Sequence, residues 1–503
     1  MLSWTASVVL VIVISNVIRQ LLPRPKSEPP LAFHWLPFLG NAIEYGIDPY
    51  KFFLRCREKH GDIFTFVLLG KRITCYLGVE GNEFILNGKH QDLNAEEIYS
   101  PLTTPVFGAD VVYDCPNAKL MEQKKFVKFG LTTQSFECYV PLIECEVLDY
   151  IRSASAFQGE SGTINVCQAM SEITILTAAR ALQGEEVRQK LSAEFALLYH
   201  DLDMGFQPIN FLMPWAPLPH NKKRDEAHMK MKNIYMDIIE RRRRNAEIEG
   251  SDMIWNLMNC EYKDGTPVPD AEIACIMITL LMAGQHTSAS ASSWIMVHLA
   301  SRPDIVEQLY QEQLKYLGRN GELAPLQYPD VEKLPLMQSV IKETLRMHSA
   351  IHSVMRKVKR PMRVPDTSYI ITPDKVLLAS PLVTAMSEDY FDNAEQWDPH
   401  RWASIKASYV DHVDIGDDAS ISKGSKSPYL PFGAGRHRCV GEKFAYLNLT
   451  VIIASLVRNF HFYTLDGTQT VPKTDYASLL SRPKEPSTIR WERRDAKTSQ
   501  RTL

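Results

Sequence analysis

The 503-residue chain has no large excess of charge of either sign, no C-x-x-C pair and no linker that would divide it. A net charge of −3 gives no electrostatic support for nucleic-acid binding, so we expect no nucleic-acid partner. The nine cysteines are an odd number at irregular spacings, which argues against a disulfide framework and indicates reduced thiols. No repeat or low-complexity run interrupts the stretch from about Phe33 to Trp491, which predicts one large domain over residues 33–503.

The N-terminal segment Leu2–Ile18 has no charged residue. With the residues that follow, it would form about 17 to 21 residues of helix, enough to cross a bilayer. Basic residues come after the segment rather than before it, which favours a retained anchor with a cytoplasmic domain over a cleaved signal peptide: Arg19, Arg24 and Lys26. We therefore predict a membrane anchor over residues 1–22 and a stiff proline-rich spacer over residues 23–32. A cleaved signal peptide is the alternative.

The strand signals are few and lie near the two ends of the chain. Two β-branched runs, residues 62–69 and 73–77, are separated by Gly70 and Lys71 and predict a hairpin. Further strand-like pieces occur near residues 363–379 and near the C-terminus. The region from about residue 118 to 345 is mostly helical in pattern, with breaks expected at prolines: Pro141, residues 208–219 and residues 267–269. The predicted fold class is mainly α with a minor β region.

One long helix is predicted between Asp270 and Ser301, because the segment contains no proline and Asp270 can act as its N-cap. About 30 residues would span roughly 45 Å. The middle, residues 273–282, is apolar nearly all round and predicts a helix buried through the core. The polar residues 284–288 that follow must be satisfied or functional. One interpretation is a packing notch in which Thr287 bonds to a carbonyl one turn earlier.

The decapeptide at residues 432–441, FGAGRHRCVG, places Cys439 among glycines and cationic side chains. A thiolate is the ligand form of cysteine, and a positive environment lowers the pKa of the thiol. Thiolate is a soft ligand that suits iron, and on haem iron it favours O–O cleavage. A lone cysteine is more often a small buried hydrophobe, but such a residue does not need flanking glycines and arginines. The pattern therefore predicts that Cys439 is a metal ligand.

The spacing F-x-x-G-x-x-x-C-x-G resembles the haem-binding loop of the cytochrome P-450 monooxygenases. Two other motifs stand in that family's order: A-G-x-x-T at residues 283–287, the oxygen-activation motif, and E-x-x-R at residues 343–346. An isolated E-x-x-R is an ordinary surface pair, so only the order makes it informative. The segment around Arg401 resembles the one that supplies a second arginine to Glu343. The resemblance implies the cytochrome P-450 fold.

Longer segments narrow the resemblance. Residues 99–117, 120–126 and 284–288 look like those of the fungal sterol 14α-demethylases, the targets of azole antifungals. That resemblance implies haem b and three successive oxidations, each using O2 and NADPH electrons, which remove the 14α-methyl group of lanosterol or eburicol as formate in ergosterol biosynthesis. The chain has no nucleotide-binding glycine motif or flavin region, so it needs NADPH–cytochrome P-450 reductase, with cytochrome b5 as a second candidate donor. It also implies a single-pass protein of the endoplasmic reticulum membrane with a cytosolic catalytic domain.

Residue roles are carried over by position from the same resemblance. The iron ligand and the residues that would contact the haem carboxylates are Cys439, Tyr99, Tyr113, Lys124, Arg356 and His437. Oxygen activation and proton delivery are assigned to Thr287, His286 and Asp203. The apolar substrate pocket is assigned to Tyr99, Phe107, Tyr113, Phe206, Ala283, Ile351, Val354 and Leu479. The structural network is assigned to Glu343, Arg346 and Arg401.

Alternatives remain open at this stage. Many family members have arginine where His437 stands, so the charge of that contact is not fixed. Asp201 lies two residues from Asp203 and could be the acid beside His286. The chain could be a haem-thiolate monooxygenase acting on a different lipid, or a non-catalytic paralogue that binds haem and sterol.

Overall fold

The protein is described here from a computed structural model, which describes residues 2–190, 193–211, 213–245, 252–319, 322–403, 424–477 and 480–494. Helix dominates, and the strands form small sheets, as predicted. The α-helices of this part of the chain are α1 (Leu2–Leu21), α2 (Ala42–Ile47), α3 (Pro49–His60), α4 (Gly78–Leu86), α5 (Glu96–Phe107), α6 (Asn117–Phe129), α7 (Thr133–Ser153), α8 (Val166–Ala178), α9 (Glu185–Gln189), α10 (Ala193–Asp203), α11 (Pro219–Arg244), α12 (Met253–Met258), α13 (Asp270–Ser301), α14 (Pro303–Leu317), α15 (Tyr328–Val331), α16 (Pro335–Met347), α17 (Pro381–Ala385) and α18 (Glu442–Asn459).

The strands are short. They are β1 (Ile63–Leu68), β2 (Lys71–Tyr76), β3 (Leu93–Asn94), β4 (Ser161–Asn165), β5 (Gly318–Arg319), β6 (Glu322–Leu323), β7 (Val354–Val358), β8 (Met362–Arg363), β9 (Ile370–Ile371), β10 (Lys375–Ala379), β11 (Phe460–Thr464), β12 (Thr474–Asp475), β13 (Arg482–Pro483) and β14 (Thr488–Arg493). The larger sheets are a five-stranded one in the order β1-β2-β10-β7-β3 and a three-stranded one in the order β11-β14-β4. Strand β10 runs parallel to β2 and antiparallel to β7.

The predicted hairpin is present as β1 and β2, with Ile63 opposite Tyr76 and Leu68 opposite Lys71. Gly70 takes a φ of +77° in the turn, a conformation that glycine adopts without steric cost. Strand β1 is buried on both faces, because Phe64 and Phe66 pack with residues of α3 and Ile63 packs with Ile85 of α4. The β-branched pattern was therefore a sufficient signal for this element.

Helix α13 runs from Asp270 to Ser301, as predicted, and it carries the core on both of its halves. Its N-terminal half packs with α10, α11 and α12, and its C-terminal half packs with α7, α8, α14, α16 and α18. The predicted cap is wrong: Pro269 occupies the N-cap position, and Asp270 instead forms an ion pair with Arg243. A cap side chain is thus not needed to start a helix that packing holds on every side.

The predicted break at Pro141 is also wrong, because α7 continues through it from Thr133 to Ser153. A proline inside a helix costs about 3 kcal/mol through a lost hydrogen bond and a steric clash. That cost is offset by the apolar face of α7, where Phe136, Val140 and Ile143 are buried. The expected breaks at residues 208–219 and 267–269 are present, since α11 begins at Pro219 and α13 begins after Pro269.

The N-terminal helix α1 ends against the rest of the fold. Gln20 donates from Nε2 to the His34 carbonyl over 2.7 Å, and Asn16 donates to the Trp35 carbonyl over 3.0 Å. Residues 23–32 also make backbone contacts with the sheet region, for example from the Ala32 amide to the Thr65 carbonyl. Among the described helices, α13 alone is long and apolar enough to cross a bilayer, but 67% of its apolar window is buried. It is therefore a core helix.

Candidate active site

The cysteine loop leads directly into α18. Gly433 and Gly435 have φ values of +68° and +65°, and a Cβ on Gly435 would lie 2.3 Å from the Leu86 carbonyl oxygen. The Cys439 amide donates to the Phe432 carbonyl over 3.0 Å, which closes the loop. Because α18 begins three residues after Cys439, the sulfur lies near the positive end of a helix. The glycines thus allow a tight turn that presents one sulfur atom.

The Cys439 side chain has accessible surface. The surrounding protein nevertheless raises the pKa of its thiol, so we infer that the sulfur faces an internal space. We expected the cationic neighbours to lower this pKa. Lys124 and Arg438 do act in that direction, but burial outweighs them. A thiol in this position is protonated at neutral pH until a metal binds it, because coordination removes the proton outright.

Four basic side chains gather beside this loop, from α6, β7 and the loop itself: Lys124, Arg356, Arg436 and His437. Lys124 donates from Nζ to the carbonyl of Arg436 over 2.9 Å and to that of Arg438 over 2.6 Å. Burial and the nearby arginines lower the pKa of His437 to about 3, which favours the neutral imidazole.

This basic cluster has more donors than acceptors. His437 Nε2 and Arg436 Nε are buried and have no hydrogen-bond partner in the described structure. The Glu96 carboxylate oxygen Oε1 is 3.8 Å from His437 Nε2, too far for a hydrogen bond. Unpaired buried donors are costly, so their presence indicates an anionic ligand. Together with the cavity-facing sulfur, these donors fit an iron-bearing group that carries carboxylates, which is the chemistry of haem.

Two tyrosines complete this side of the cavity. The rings of Tyr99 and Tyr113 lie 5.1 Å apart, and the ring of Tyr113 lies 5.8 Å from that of His437. The Tyr99 hydroxyl oxygen accepts a hydrogen bond from the Met355 amide over 2.8 Å. Burial raises the pKa of Tyr113 to about 12, so its phenol is a neutral donor. The structure thus brings together all the residues that the sequence assigned to haem carboxylates.

On α13 the polar segment faces the same interior. Thr287 donates from Oγ1 to the Ala283 carbonyl over 2.8 Å, the bond expected of a packing notch. Ala283 itself is exposed although the helix around it is buried, so it lines an internal space. A Cβ on Gly284 would meet only Leu182, at 3.7 Å, so close packing does not require glycine there. The Thr287 bond fits the packing notch and the exposed Ala283 fits the oxygen-activation motif, so the two interpretations of this segment are compatible.

His286 lies beside Asp203, the acid that the sequence favoured over Asp201. The distance from His286 Nε2 to Asp203 Oδ1 is 3.1 Å, but the two groups are not aligned as a hydrogen bond. Burial lowers the pKa of His286, and the charge of Asp203 acts in the opposite direction. Asp203 is about half exposed, so this pair joins the interior to solvent.

Tyr199 and Gln285 lie beside this pair, and neither residue was predicted from the sequence. The Tyr199 ring lies 5.1 Å from the His286 ring, and its hydroxyl donates to Gln285 Oε1 over 2.6 Å. Tyr199 stands four residues before Asp203 on α10, so both project from the same helix face. The four-residue spacing of Tyr199 and Asp203 was the signal from which Tyr199 could have been predicted as a site residue.

Glu343 and Arg346, the two residues of the E-x-x-R motif, are completely buried. The Glu343 carboxylate accepts hydrogen bonds from Arg346 Nε and Nη2 at 3.0 and 2.9 Å and from Arg401 Nε at 2.9 Å. It also accepts from Trp402 Nε1 at 3.0 Å and from the Asp398 amide at 3.1 Å. The predicted second arginine is therefore present, and an indole was missed. Three of these five donors come from the segment after α17, so the carboxylate binds that segment to α16.

The residues predicted to line the substrate pocket differ in how far they are exposed. The rings of Phe107 and Phe206 meet edge to face at 5.7 Å. Ile351 is 46% exposed, and Val354 is half-buried at the start of β7. Leu479 lies outside the described residues. Two surface clefts, of about 620 and 630 Å³, contain none of the predicted site residues in the described part of the chain.

The cytochrome P450 family model matches residues 29–490, and this chain belongs to the cytochrome P450 family. It is 64% identical over 495 residues to a sterol 14-alpha demethylase of Gibberella zeae, covering 98% of each chain. It is 62% identical over 507 residues to a sterol 14-alpha demethylase of Aspergillus fumigatus, covering 99% of this chain and 98% of the relative. It is 58% identical over 500 residues to an eburicol 14-alpha-demethylase of Penicillium italicum, covering 97% and 96%.

Among solved structures, the chain resembles the retinoic acid-bound cyanobacterial CYP120A1, with a TM-score of 0.75 and 20% identity. The likeness covers 94% of this chain and 100% of that one, and it supports the fold alone. Cytochromes P450 carry a haem whose iron is bound by a cysteine thiolate, and they use O2 and electrons from a reductase. The chain is accordingly a haem-thiolate monooxygenase.

Proposed function

We propose that this chain is a fungal sterol 14α-demethylase, which removes the 14α-methyl group of lanosterol or eburicol as formate in ergosterol biosynthesis. The observation that carries this proposal is its identity of 57–64% over nearly the full length of relatives named for that reaction. An oxidase of another lipid, or a paralogue without activity, is not favoured at this level of identity.

Cys439 would hold the haem iron through its thiolate in this proposal, because its sulfur has accessible surface inside the fold. The bound haem supplies oxygen activation. Its carboxylates would be held by the orphaned His437 nitrogen, by the cationic side chains of Lys124 and Arg356, and by the phenols of Tyr99 and Tyr113. A neutral histidine and neutral phenols leave the charge balance to Lys124 and Arg356.

Proton delivery is assigned to Thr287, His286 and Asp203. The half-exposed Asp203 receives protons from water, and His286, 3.1 Å away, can pass them inward when the two groups align. The hydroxyl of Thr287 is held by the Ala283 carbonyl, which points it along the cavity-lining face of α13. Burial favours the neutral form of His286 and the charge of Asp203 opposes that shift, so the ring would take up a proton from Asp203 and release it inward.

The sterol occupies an apolar space beside Ala283, with Phe107 and Phe206 meeting on one side. The proposed wall is completed by Tyr99, Tyr113, Ile351 and Val354. Azole inhibitors compete for the same space. The electron donor is NADPH–cytochrome P-450 reductase, with cytochrome b5 as a second donor.

The protein is anchored in the endoplasmic reticulum membrane by residues 1–22, with the catalytic domain in the cytosol. The apolar exposed face of α1 supports this, since Leu10, Val11 and Leu21 have no protein cover. The contacts of Asn16 and Gln20 with the domain mean that residues 23–32 do not act as a free tether.

The test is turnover. Membranes containing this protein, the reductase and NADPH are given lanosterol or eburicol separately, and products are read by mass spectrometry. A 14-demethylated diene and formate from either sterol support the proposal, and the ratio gives the substrate preference. A normal haem-thiolate spectrum without demethylated product would refute the sterol assignment. Cys138→Ser, at an exposed cysteine, is the control for Cys439→Ser, which should lose the thiolate spectrum.

The proton path has its own test, with a matched control on the same helix. Asp203→Asn should lower the yield of product per NADPH consumed by about tenfold or more, the scale of a lost acid–base group. Asp201→Asn should leave that yield near the wild-type value, because only Asp203 contacts His286. Equal yields from the two variants would contradict the assignment.

A further inference from the structure

The loop between α5 and α6 has an unusual backbone. Asp110 and Val112 have φ values of +65° and +54°, and Gly108 before them has +101°. Residues with side chains rarely adopt positive φ, and a β-branched residue such as valine least of all. A conformation of this kind persists only where the surroundings hold it, and it tends to occur at functional sites.

One set of restraints comes from α5 and from the loop itself. Asp114 accepts from the Asp110 amide at Oδ2 over 3.0 Å, which closes the loop on itself. Its other oxygen, Oδ1, accepts from Thr104 Oγ1 over 3.0 Å, which fastens the loop to the last turn of α5. These bonds define the shape of the loop, but they do not connect it to α6 or α13.

The connection is made by Gln123 on α6. Its Nε2 donates to the Asp110 carbonyl over 2.8 Å, at the first positive-φ residue that is not glycine. The Gln123 side chain is held from behind by Glu272 and Tyr262, with Nε2 lying 3.3 Å from Glu272 Oε2 and 3.1 Å from the Tyr262 hydroxyl. Gln123 is 4% exposed, so its side chain is shielded from water although Asp110, to which it bonds, is exposed.

Glu272 anchors the group to the first turn of α13. It accepts from the Tyr262 hydroxyl over 2.6 Å and from Lys119 Nζ over 2.7 Å. A carboxylate in the first turn of a helix is also favoured by the helix dipole. The loop is thereby tied through Gln123 to α13, which carries Ala283 and His286 further along.

The loop carries Tyr113, whose ring lies 5.8 Å from the His437 ring. The residue after Gln123 is Lys124, which donates to two carbonyls of the cysteine loop. Adjacent side chains of α6 therefore restrain the cysteine loop and the loop of Tyr113. A change at Gln123 should therefore alter the position of the Tyr113 loop relative to the cysteine loop.

We propose that Gln123 and Glu272 are positioning residues that hold residues 108–115 in their positive-φ conformation and so fix Tyr113 beside the basic cluster. The inference rests on the carboxylate role proposed for Tyr113. Loss of the Gln123 bond lets Asp110 and Val112 return to ordinary φ values, which displaces the tyrosine between them and α6. Glycine at position 110 would remove the conformational cost, because glycine adopts positive φ freely.

The experiment uses the haem-loaded full chain and two measurements, amide hydrogen exchange of residues 109–117 and the rate of haem transfer to apomyoglobin. Gln123→Leu keeps the side-chain size and removes the bonds. It should raise exchange in this loop by about tenfold, the effect of one lost hydrogen bond on local opening, and speed haem transfer severalfold. Adding Asp110→Gly should restore much of both.

A matched control is available at Asp366, an exposed residue with φ +56° in a turn between β8 and β9. Asp366→Gly should not rescue Gln123→Leu, because it relieves a different loop. Equal rescue by the two glycine variants, or wild-type exchange in Gln123→Leu, would overturn the proposal. If Gln123→Leu does not accumulate, Tyr262→Phe removes one donor from Glu272 and should raise exchange in the same loop by a smaller factor; unchanged exchange would overturn it equally.

Tyr113→Phe separates the two assignments. It should speed haem transfer without changing loop exchange. If Tyr113→Phe has no effect on haem transfer, the carboxylate role fails while the restraint of the loop is judged by exchange alone. If Gln123→Leu raises exchange but leaves haem transfer unchanged although Tyr113→Phe speeds it, the coupling from Gln123 to Tyr113 is refuted.

Discussion

Glu343→Gln is the sharpest test of the buried charge network. The side chains of Glu343 and Arg346 are both 0% exposed, and the carboxylate accepts five hydrogen bonds. Glutamine keeps the size but loses the charge and turns one acceptor oxygen into a donor. Arg346 then remains charged and buried without its partner. Breaking a buried pair in this way costs about 3–5 kcal/mol, a large part of the 5–15 kcal/mol that holds a typical domain folded.

The control is an ion pair of the same kind on the surface. Glu240 pairs with Arg244 one turn along α11, and both side chains are more than half exposed. Glu240→Gln should therefore change the free energy of unfolding by about 0.5 kcal/mol or less. The comparison uses the urea midpoint of haem-loaded protein in detergent, followed by circular dichroism and by haem absorbance.

The refuting result is specific. If the midpoints of Glu343→Gln and Glu240→Gln shift equally with unchanged slopes, the buried network does not stabilise the fold as argued. Should Glu343→Gln not accumulate, Trp402→Phe removes a single donor to the same carboxylate. It should lower the free energy of unfolding by about 1 kcal/mol, and no change would contradict the reasoning.

Acid should destabilise the fold through the buried pair His298 and His348, whose Nε2 atoms lie 2.8 Å apart. Burial lowers the pKa of His298 from 6.5 to about 3 and that of His348 well below 6.5, so only the unfolded chain takes up their protons. The stability that comes from keeping these histidines neutral is present above pH 6.5 and is lost below it, by about 1.4 kcal/mol per histidine at about pH 5.5. The urea midpoint of His298→Gln should therefore fall less steeply than that of the wild type as the pH is lowered. Parallel curves for the two proteins would contradict this reasoning. Gly435→Ala should reduce haem content more than Gly433→Ala, because both have positive φ but only the first would clash with the Leu86 carbonyl; equal pyridine haemochrome spectra would argue against the clash.

Local pattern was enough for some elements and not for others. The β1–β2 hairpin and the bounds of α13 followed from residue types read along the chain. The continuation of α7 through Pro141 did not, because it depends on apolar contacts with other helices. The same reason explains why the predicted Asp270 cap is wrong: the tertiary packing of α13 makes a cap side chain unnecessary.

The candidate site divides in the same way. Cys439, Glu343 and Arg346 stand in short motifs with fixed spacing, so the sequence identified them. Tyr199 and Gln285 are 86 residues apart and meet only through the packing of α10 on α13. The direction of the Cys439 thiol pKa also depends on burial, which a local charge pattern does not report.

The order of the site residues along the chain has a consequence for biosynthesis. Tyr99 and Lys124 lie in the first quarter of the chain, Arg356 comes much later, and Cys439 comes near the end. A nascent chain emerging from the ribosome would therefore expose the basic and phenolic groups long before the sulfur that closes the site. Stable haem capture must then follow release of nearly the whole polypeptide, and a product truncated before Cys439 would keep most of the helices yet retain no iron ligand.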